Sequence, residues 1–344
     1  MKRTIILLAL FLLLGGGAFW YLNTKEDEKT TLAGADRRFA VEDINQVYKI
    51  FIADREGKRT TLERKDGYWL YNGKYKARPT VMEPLLEAIQ RIQIQYKPPK
   101  AAEEKMVKAL ATQGLKVELY DKAGGQLKAY YLGGATADER GAFAIMEGAE
   151  HPYVVELPAW EGNLTVRFDR FGDDVRDKNI FSEPVENIQS VSIEYPKQRD
   201  QSFRLEATAD GYEVKPFFDY TPVIRRPYRD GAAETFLVNF EGLSAEEFSN
   251  NYPARDSILQ LVPFSVITLV NKQGDTTQAR FFPIIPDQYI TQDVKSGGII
   301  EVSSDIERYY VGLNEKDLLV AQHLLLRKAF WSYSSFFQDK NLLN

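Results

Sequence analysis

Few residues in this chain are of a type that does covalent chemistry. Among 344 residues there are two histidines, His151 and His323, and no cysteine. A hydrolase triad or a zinc site needs a histidine brought against a carboxylate, a serine or further ligands. His151 stands in the turn "EGAEHPY" and His323 among leucines in "VAQHLLLRK", and neither flank carries such a partner. The lack of cysteine removes thiolate nucleophiles, thiolate metal sites and disulfides together. No catalytic residue, metal site or cofactor follows from these types and spacings.

The acidic run "RFDRFGDDVRDKN" gathers Asp169, Asp173, Asp174 and Asp177. A calcium loop sets oxygen ligands at alternating positions around a glycine turn, whereas Arg170, Arg176 and Lys178 interrupt this run. It reads as intramolecular ion pairing where two lobes join. Paired carboxylates could also serve an envelope hydrolase, and their separation in space, which decides such chemistry, lies beyond sequence. Gly133 and Gly134 in "YYLGGATADERG" lead into no helix and precede no Lys-Ser or Lys-Thr, so they read as turn glycines and not as a phosphate cradle. The best binding candidate is the loop "FFDYTPVIRRPYRDG", Phe217 to Gly231. Its Arg225, Arg226 and Arg229, with Tyr220 and Tyr228, could clamp a carboxylate or phosphate on a partner, a lipid head or a glycan. A connection this long without a strand or helix pattern is itself a functional signal.

The rest of the chain must hold and place these groups. With 44 % hydrophobic residues it can fill a core, and its net charge of −5 lacks the basic excess of a nucleic-acid binder. Residues 1–25 read as an anchor: Lys2 and Arg3 precede an uncharged stretch from Ile5 to Leu22, with Trp20 and Tyr21 at its far end. That length can cross a bilayer, and the flanking positive charge places the amino terminus in the cytoplasm and the bulk of the chain in the periplasm. The small residues Gly16 to Ala18 keep a cleaved signal peptide open as the alternative. Residues 26–43 read as a polar linker without period.

Two lobes are expected after it, at residues 44–180 and 181–344. In the first, "INQVYKIFIAD", the strand around Thr60 to Arg64 and "YWLYN" form a meander that turns at Asp66-Gly67. Val81, Leu85, Ala88 or Ile89, and Ile92 then lay one apolar stripe along a helix, with Pro84 tolerated near its first turn. A shorter helix over roughly Ala102 to Thr112 is capped by Gly114, and "LKVELYDKAGGQLKAYYLGG" is a hairpin followed by strands near Ala142 to Met146 and Tyr153 to Leu157.

The second half repeats that order with "NIQSVSIEY", "SFRLEATADGYEVKP", a helix carrying Phe236, Phe240 and Leu243, and the hairpin "FSVITLVNKQGDTTQARFFPI". Asp66-Gly67-Tyr68 and Asp210-Gly211-Tyr212 lie 144 residues apart, Leu119 and Leu269 150, and Leu157 and Leu313 156, as loop insertions between two copies would produce. "NEKDLLVAQHLLLRKAF" reads as a final amphipathic helix to about Phe330, starting at Asn314 and ending in aromatics buried on a lobe. The fold class is thus α+β: an N-terminal transmembrane helix, then two tandem, similar lobes of antiparallel sheet, each covered by helices.

The runs "DGYWLYNGKYKARPTVMEPLLEAIQRIQIQ", "YYLGGATADERGAFAIMEGAEHPYVVELPAWEGNLTVRF" and "DDVRDKNIF" resemble the exported bacterial family called domain of unknown function 4340, in its Bacteroidetes form. The features are Trp69 before a helix, the Gly133-Gly134 pair after a hairpin, and the step Arg176 to Lys178. The resemblance implies a membrane anchor and a domain outside the inner membrane, and it assigns no activity. It also suggests service beside gliding-type or efflux-type ABC transporters.

The expectation is therefore a non-enzymatic, single-pass inner-membrane protein whose periplasmic ectodomain binds or scaffolds an envelope component. Its partners would be the lipid bilayer, through residues 5–22, and a membrane or envelope protein. The runner-up is an accessory subunit of an envelope transporter, and a carboxylate-dependent hydrolase stands third.

Overall fold

A computed structural model describes residues 38–285, 291–292, 299–300 and 306–338. The expected transmembrane segment and most of the linker lie outside the described residues. Among those described, no helix is long and apolar enough to cross a membrane. The chain is α+β, with two large antiparallel sheets and few helices, and it divides into two compact units between Asp177 and Lys178.

The first unit contains β1 (Lys49–Ala53), β2 (Arg59–Arg64), β3 (Trp69–Tyr71), β4 (Tyr75–Lys76), β5 (Gln93–Tyr96), β6 (Leu115–Tyr120), β7 (Gln126–Ala135), β8 (Ala142–Met146) and β9 (Tyr153–Glu156). They form one sheet in the order β4-β3-β2-β1-β6-β7-β8-β9-β5. Alternation sends Ile50, Ile52, Leu62, Val117 and Leu119 inward, all without solvent exposure. The helix Pro79–Arg91 lays Val81, Leu85, Ala88 and Ile89 on the same core, as their spacing predicts. Each fully buried Val, Leu or Ile of this kind is worth about 1.5–3 kcal/mol relative to exposure. Pro84 sits in the second turn of that helix and not the first, so it removes one interior N–H donor.

The second unit contains β10 (Asn179–Phe181), β11 (Ile188–Glu194), β12 (Phe203–Thr208), β13 (Gly211–Pro216), β14 (Leu243–Ser244), β15 (Glu247–Phe248), β16 (Ser265–Asn271), β17 (Thr276–Ile284), β18 (Thr291–Gln292), β19 (Ile299–Ile300), β20 (Arg308–Leu313) and β21 (Asp317–Gln322). Its main sheet runs β13-β12-β11-β16-β17-β20-β21-β15. Apart from the short β4, this is the strand order of the first unit, position for position. The registers agree as well. Tyr71, Leu62, Ile50 and Leu119 stand in one row across the first sheet, and Val214, Leu205, Val191 and Leu269 stand in the matching row of the second.

Local turn chemistry recurs with the topology. In the β1–β2 hairpin the Asp54 carboxylate accepts from the N–H groups of Glu56 (2.9 Å) and Lys58 (2.8 Å), and Gly57 takes φ 93°. Asp121 accepts from Ala123 and Gly125 around Gly124 between β6 and β7, and Asn271 accepts from Gln273 and Asp275 around Gly274 between β16 and β17. An Asx side chain bonding its own backbone two and four residues on, with glycine supplying the left-handed position, is a self-contained hairpin code.

Several expectations are corrected. "DLLVAQ" is the strand β21 and not a helix; only His323–Leu326 is helical. Asn314 and Glu315 both take positive φ and form the hairpin turn from β20, where a helix N-cap was expected. Leu318, Leu319, Val320 and Ala321 are all buried, and a strand covered on both faces shows an unbroken apolar run that periodicity does not separate from a helix. The expected pairing of Leu157 with Leu313 is shifted by one strand: the topological counterpart of β9 is β21, while β20, which ends at Leu313, matches β8. Leu243 lies on β14 and not on the helix, which ends at Leu237 and tightens to a 3-10 turn. The linker's last residues join the core: Phe39 is 1 % exposed and meets Tyr130 edge-on at 5.6 Å.

Glycines act by space in two places: Gly114 is the expected C-cap, and Gly133 lies in a strand where a turn was expected. Gly114 ends the helix Lys100–Gln113 in extended conformation, and a Cβ there would meet the Leu110 carbonyl oxygen at 2.4 Å. Gly133 and Gly134 lie within β7 at a register shift, and a Cβ on Gly133 would meet Leu110 Cδ2 at 2.8 Å. That glycine lets the helix approach the sheet.

Candidate functional site

The loop Phe217–Gly231 connects β13 to the helix Ala232–Leu237, and Gly231 turns it at φ 70°. Its second half is zipped to the end of the described chain. Arg229 N–H donates to the Phe336 carbonyl (2.9 Å), Gln338 N–H to the Pro227 carbonyl (2.9 Å), and Ile224 N–H to the Tyr333 hydroxyl (3.4 Å). Tyr228 stacks on Phe336 at 6.4 Å and meets Phe337 edge-on at 5.9 Å. Tyr333 and Phe336 are fully buried in the second core, while Phe330, Trp331 and Phe337 pack against it. The aromatic tail is therefore the base on which this loop is mounted.

The five residues singled out from sequence do not converge on one point. Arg226 donates to the Gln338 carbonyl at 2.8 Å, and the Arg229 guanidinium lies over Trp331 at 5.1 Å. The Tyr228 phenol turns into the loop's base, where it has no hydrogen-bond partner among the described residues and burial pushes its pKa up to about 12. Tyr220, 65 % exposed, belongs to a separate cluster: it stacks on Phe218 at 5.3 Å, and its hydroxyl accepts from Arg199 at 3.3 Å. Arg199 also lies over the Phe218 ring at 5.5 Å. It comes from the β11–β12 connection, so a reading confined to one loop misses it; an arginine in a loop beside an aromatic loop was the available signal. Arg225 and Arg229 remain exposed to solvent, on a backbone held from beneath.

The histidines and acids resolve differently. His151 Nδ1 lies 3.0 Å from Glu103 Oε2, a histidine–carboxylate pair spanning 48 residues that neither flank announces. His323 stacks on Tyr309 at 5.8 Å. Among the described residues no cluster of three or more His, Asp or Glu could hold a metal ion. In the acidic run Asp173 pairs with Arg176 at 2.9 Å, and the Arg176 guanidinium covers the Tyr75 ring at 3.7 Å. Asp169 and Asp174 instead border a cavity of about 400 Å³ within the first unit.

No family model matches this chain, and no curated protein matches it.

Proposed function

We propose that the chain is the exported, membrane-anchored member of an envelope assembly, and that its second unit captures a partner through the mounted arginine loop. The reading takes residues 5–22 as a single-pass inner-membrane anchor with its amino terminus in the cytoplasm, and places the two units in the periplasm. It takes those units as copies of one ancestral lobe, and includes membership of the domain of unknown function 4340 family. It assigns binding or scaffolding to the chain, and no reaction.

One observation carries the loop's role: Arg225 and Arg229 are displayed on a backbone zipped to Phe336 and Gln338 over a buried aromatic base. A loop fixed in advance loses little conformational freedom when a partner binds, so its guanidinium groups can serve recognition at low entropic cost. The test uses the full-length chain solubilised in mild detergent from its own envelope. Triple charge reversal, R225E/R226E/R229E, should reduce recovery of the co-purifying envelope protein at least tenfold, and undiminished recovery would refute the assignment. Placement is tested separately by fusing alkaline phosphatase after Gln338, since enzyme activity requires export; an inactive, stably produced fusion would overturn the periplasmic assignment.

A further inference from the structure

We propose that the cavity in the first unit bordered by Arg170, Asp169 and Asp174 binds a small zwitterion, its oxyanion on Arg170 and its ammonium on the two carboxylates. The cavity, about 400 Å³, is open to solvent, with Asp169 and Asp174 exposed, and is of a size that can seat a small metabolite or headgroup. Lys58, Val81 and Phe171 complete the lining that matters here.

The walls are fixed without a ligand. The Thr60 hydroxyl, itself fully buried, donates to the Arg170 carbonyl at 2.5 Å. Arg78 N–H donates to the Val175 carbonyl at 2.9 Å, and Gly172 turns the wall at φ 73°. The neighbouring Asp173–Arg176 pair, packed on Tyr75, anchors the far end of the segment.

The charges in these walls are arranged in an unusual way. Arg170 Nε donates to the Arg167 carbonyl at 3.2 Å, and the guanidinium makes no ion pair with any described carboxylate. Burial depresses its pKa, and Arg167 and Arg78 add to this by repulsion, while Asp169 and Asp174 act against it. Arg78, which stands behind the lining, has its Nε buried with no hydrogen-bond partner among the described residues. Arg167 is already paired with Glu87 at 2.9 Å, whereas Arg170 and Arg78 are short of acceptors and would be stabilised when an oxyanion arrives.

Asp169 and Asp174 likewise form no ion pair with a described residue, while Lys58 is already engaged by Glu56 at 3.0 Å and Asp54 at 3.8 Å. A simple anion in this cavity would meet both aspartates, and a simple cation would meet Arg170. A molecule carrying an oxyanion and an ammonium a few bonds apart satisfies both, with Val81 and Phe171 against its carbon stem. Free α-amino acids and the phosphoethanolamine headgroup share that chemistry.

The experiment is calorimetric titration of the full-length protein in detergent with D-alanine, L-alanine and O-phosphoethanolamine. Acetate, inorganic phosphate and ethylamine serve as single-charge controls. At least one zwitterion should bind and the controls should not; which one binds identifies the source. R170Q and the double change D169N/D174N should each weaken binding at least tenfold, while R199Q on the second unit should leave it unchanged. The two aspartate side chains form no hydrogen bond or ion pair with a described residue, so D169N/D174N keeps the test valid if R170Q folds poorly. Absence of binding by all three zwitterions at millimolar concentration, or full binding in D169N/D174N, would overturn the proposal.

Discussion

The core-facing sides of the two sheets are near copies, and their opposite sides are not. On the first sheet that opposite face is filled: Lys116 bridges Glu118 (2.7 Å) and Glu147 (3.0 Å), the Tyr120 hydroxyl donates to Glu118 (2.7 Å), and Lys49 lies over the Tyr120 ring at 4.7 Å. At the matching positions of the second sheet stand Val266, Thr268, Val270 and Ser190, and their short side chains leave a concavity of about 340 Å³. The fold is therefore specified by the inward rows and the turns, while the other face is free to be filled or left open. One scaffold carries two unlike surfaces.

The largest effects should come from breaking what the units share. Leu62 and Leu205 occupy the same node of the two sheets, at 0 % and 1 % exposure. Leu62→Ala and Leu205→Ala should each cost about 2–5 kcal/mol, from lost burial plus the cavity left behind. Urea unfolding of both variants measures this. A cost below about 1 kcal/mol for one and not the other would show that the matching registers hide unlike packing.

Next come the glycines whose Cβ would meet a close neighbour. Gly114→Ala brings a Cβ against a backbone carbonyl, and Gly133→Ala brings one against the buried Leu110 side chain, so each should cost about 1–3 kcal/mol. Gly312→Ala is the second unit's version, since its Cβ would meet Leu259 Cδ2 at 2.7 Å. Leu259 is only half-buried, at the end of the short helix Arg255–Leu259, and can move aside, so this change should cost less than about 1 kcal/mol. Thermal unfolding of the three variants checks the ranking. Equal costs for Gly133→Ala and Gly312→Ala would mean that the two helices are held equally tightly.

The shared framework was largely legible in the sequence because its signals are local. The turns at Asp54, Asp121 and Asn271 fix hairpins through their own side chains, Asp-Gly pairs mark two more, and the Val81-to-Ile89 stripe fixes the first helix by spacing alone. What escaped depends on contacts distant in sequence. Whether "DLLVAQ" is helix or strand is decided by burial on both faces, and Gly133 matters only because Leu110 lies over it. The arginine loop illustrates the same limit at the candidate site. Its composition was visible, but the backbone bonds to Phe336 and Gln338 join segments far apart in sequence, and the pairing of Tyr220 with Arg199 joins two separate loops.

Smaller effects test the faces that differ. Burial alone would raise the Glu118 pKa, but hydrogen bonds from Lys116 and Tyr120 outweigh it and hold the carboxyl below its ordinary value. The group is therefore a stabiliser above roughly pH 4.3, the ordinary glutamate value, and that contribution is lost as pH falls through the lower folded pKa. Glu118→Gln should cost about 1 kcal/mol at pH 7 and nothing once the wild-type carboxyl is protonated. Urea titrations at pH 7 and near pH 3 give the comparison. A difference that stays constant between them would remove charge from the explanation.

The smallest effect should follow from building the missing network on the second sheet. V266K/T268E places on β16 the pair that Lys116 and Glu118 form on β6. An exposed ion pair of this kind contributes about 0.5 kcal/mol or less. Two local losses offset it: Gln278 Nε2 gives up its 3.3 Å bond to the Thr268 hydroxyl, and the new ammonium faces Arg280 across the ladder, where Tyr131 faces Lys116 in the first sheet. The net change should fall within about 0.5 kcal/mol of zero by urea unfolding. A gain of 2 kcal/mol would mean that the open face is held at a cost to stability, and the concavity bordered by Ser190, Ser192 and Thr268 would then become a surface kept open for a ligand.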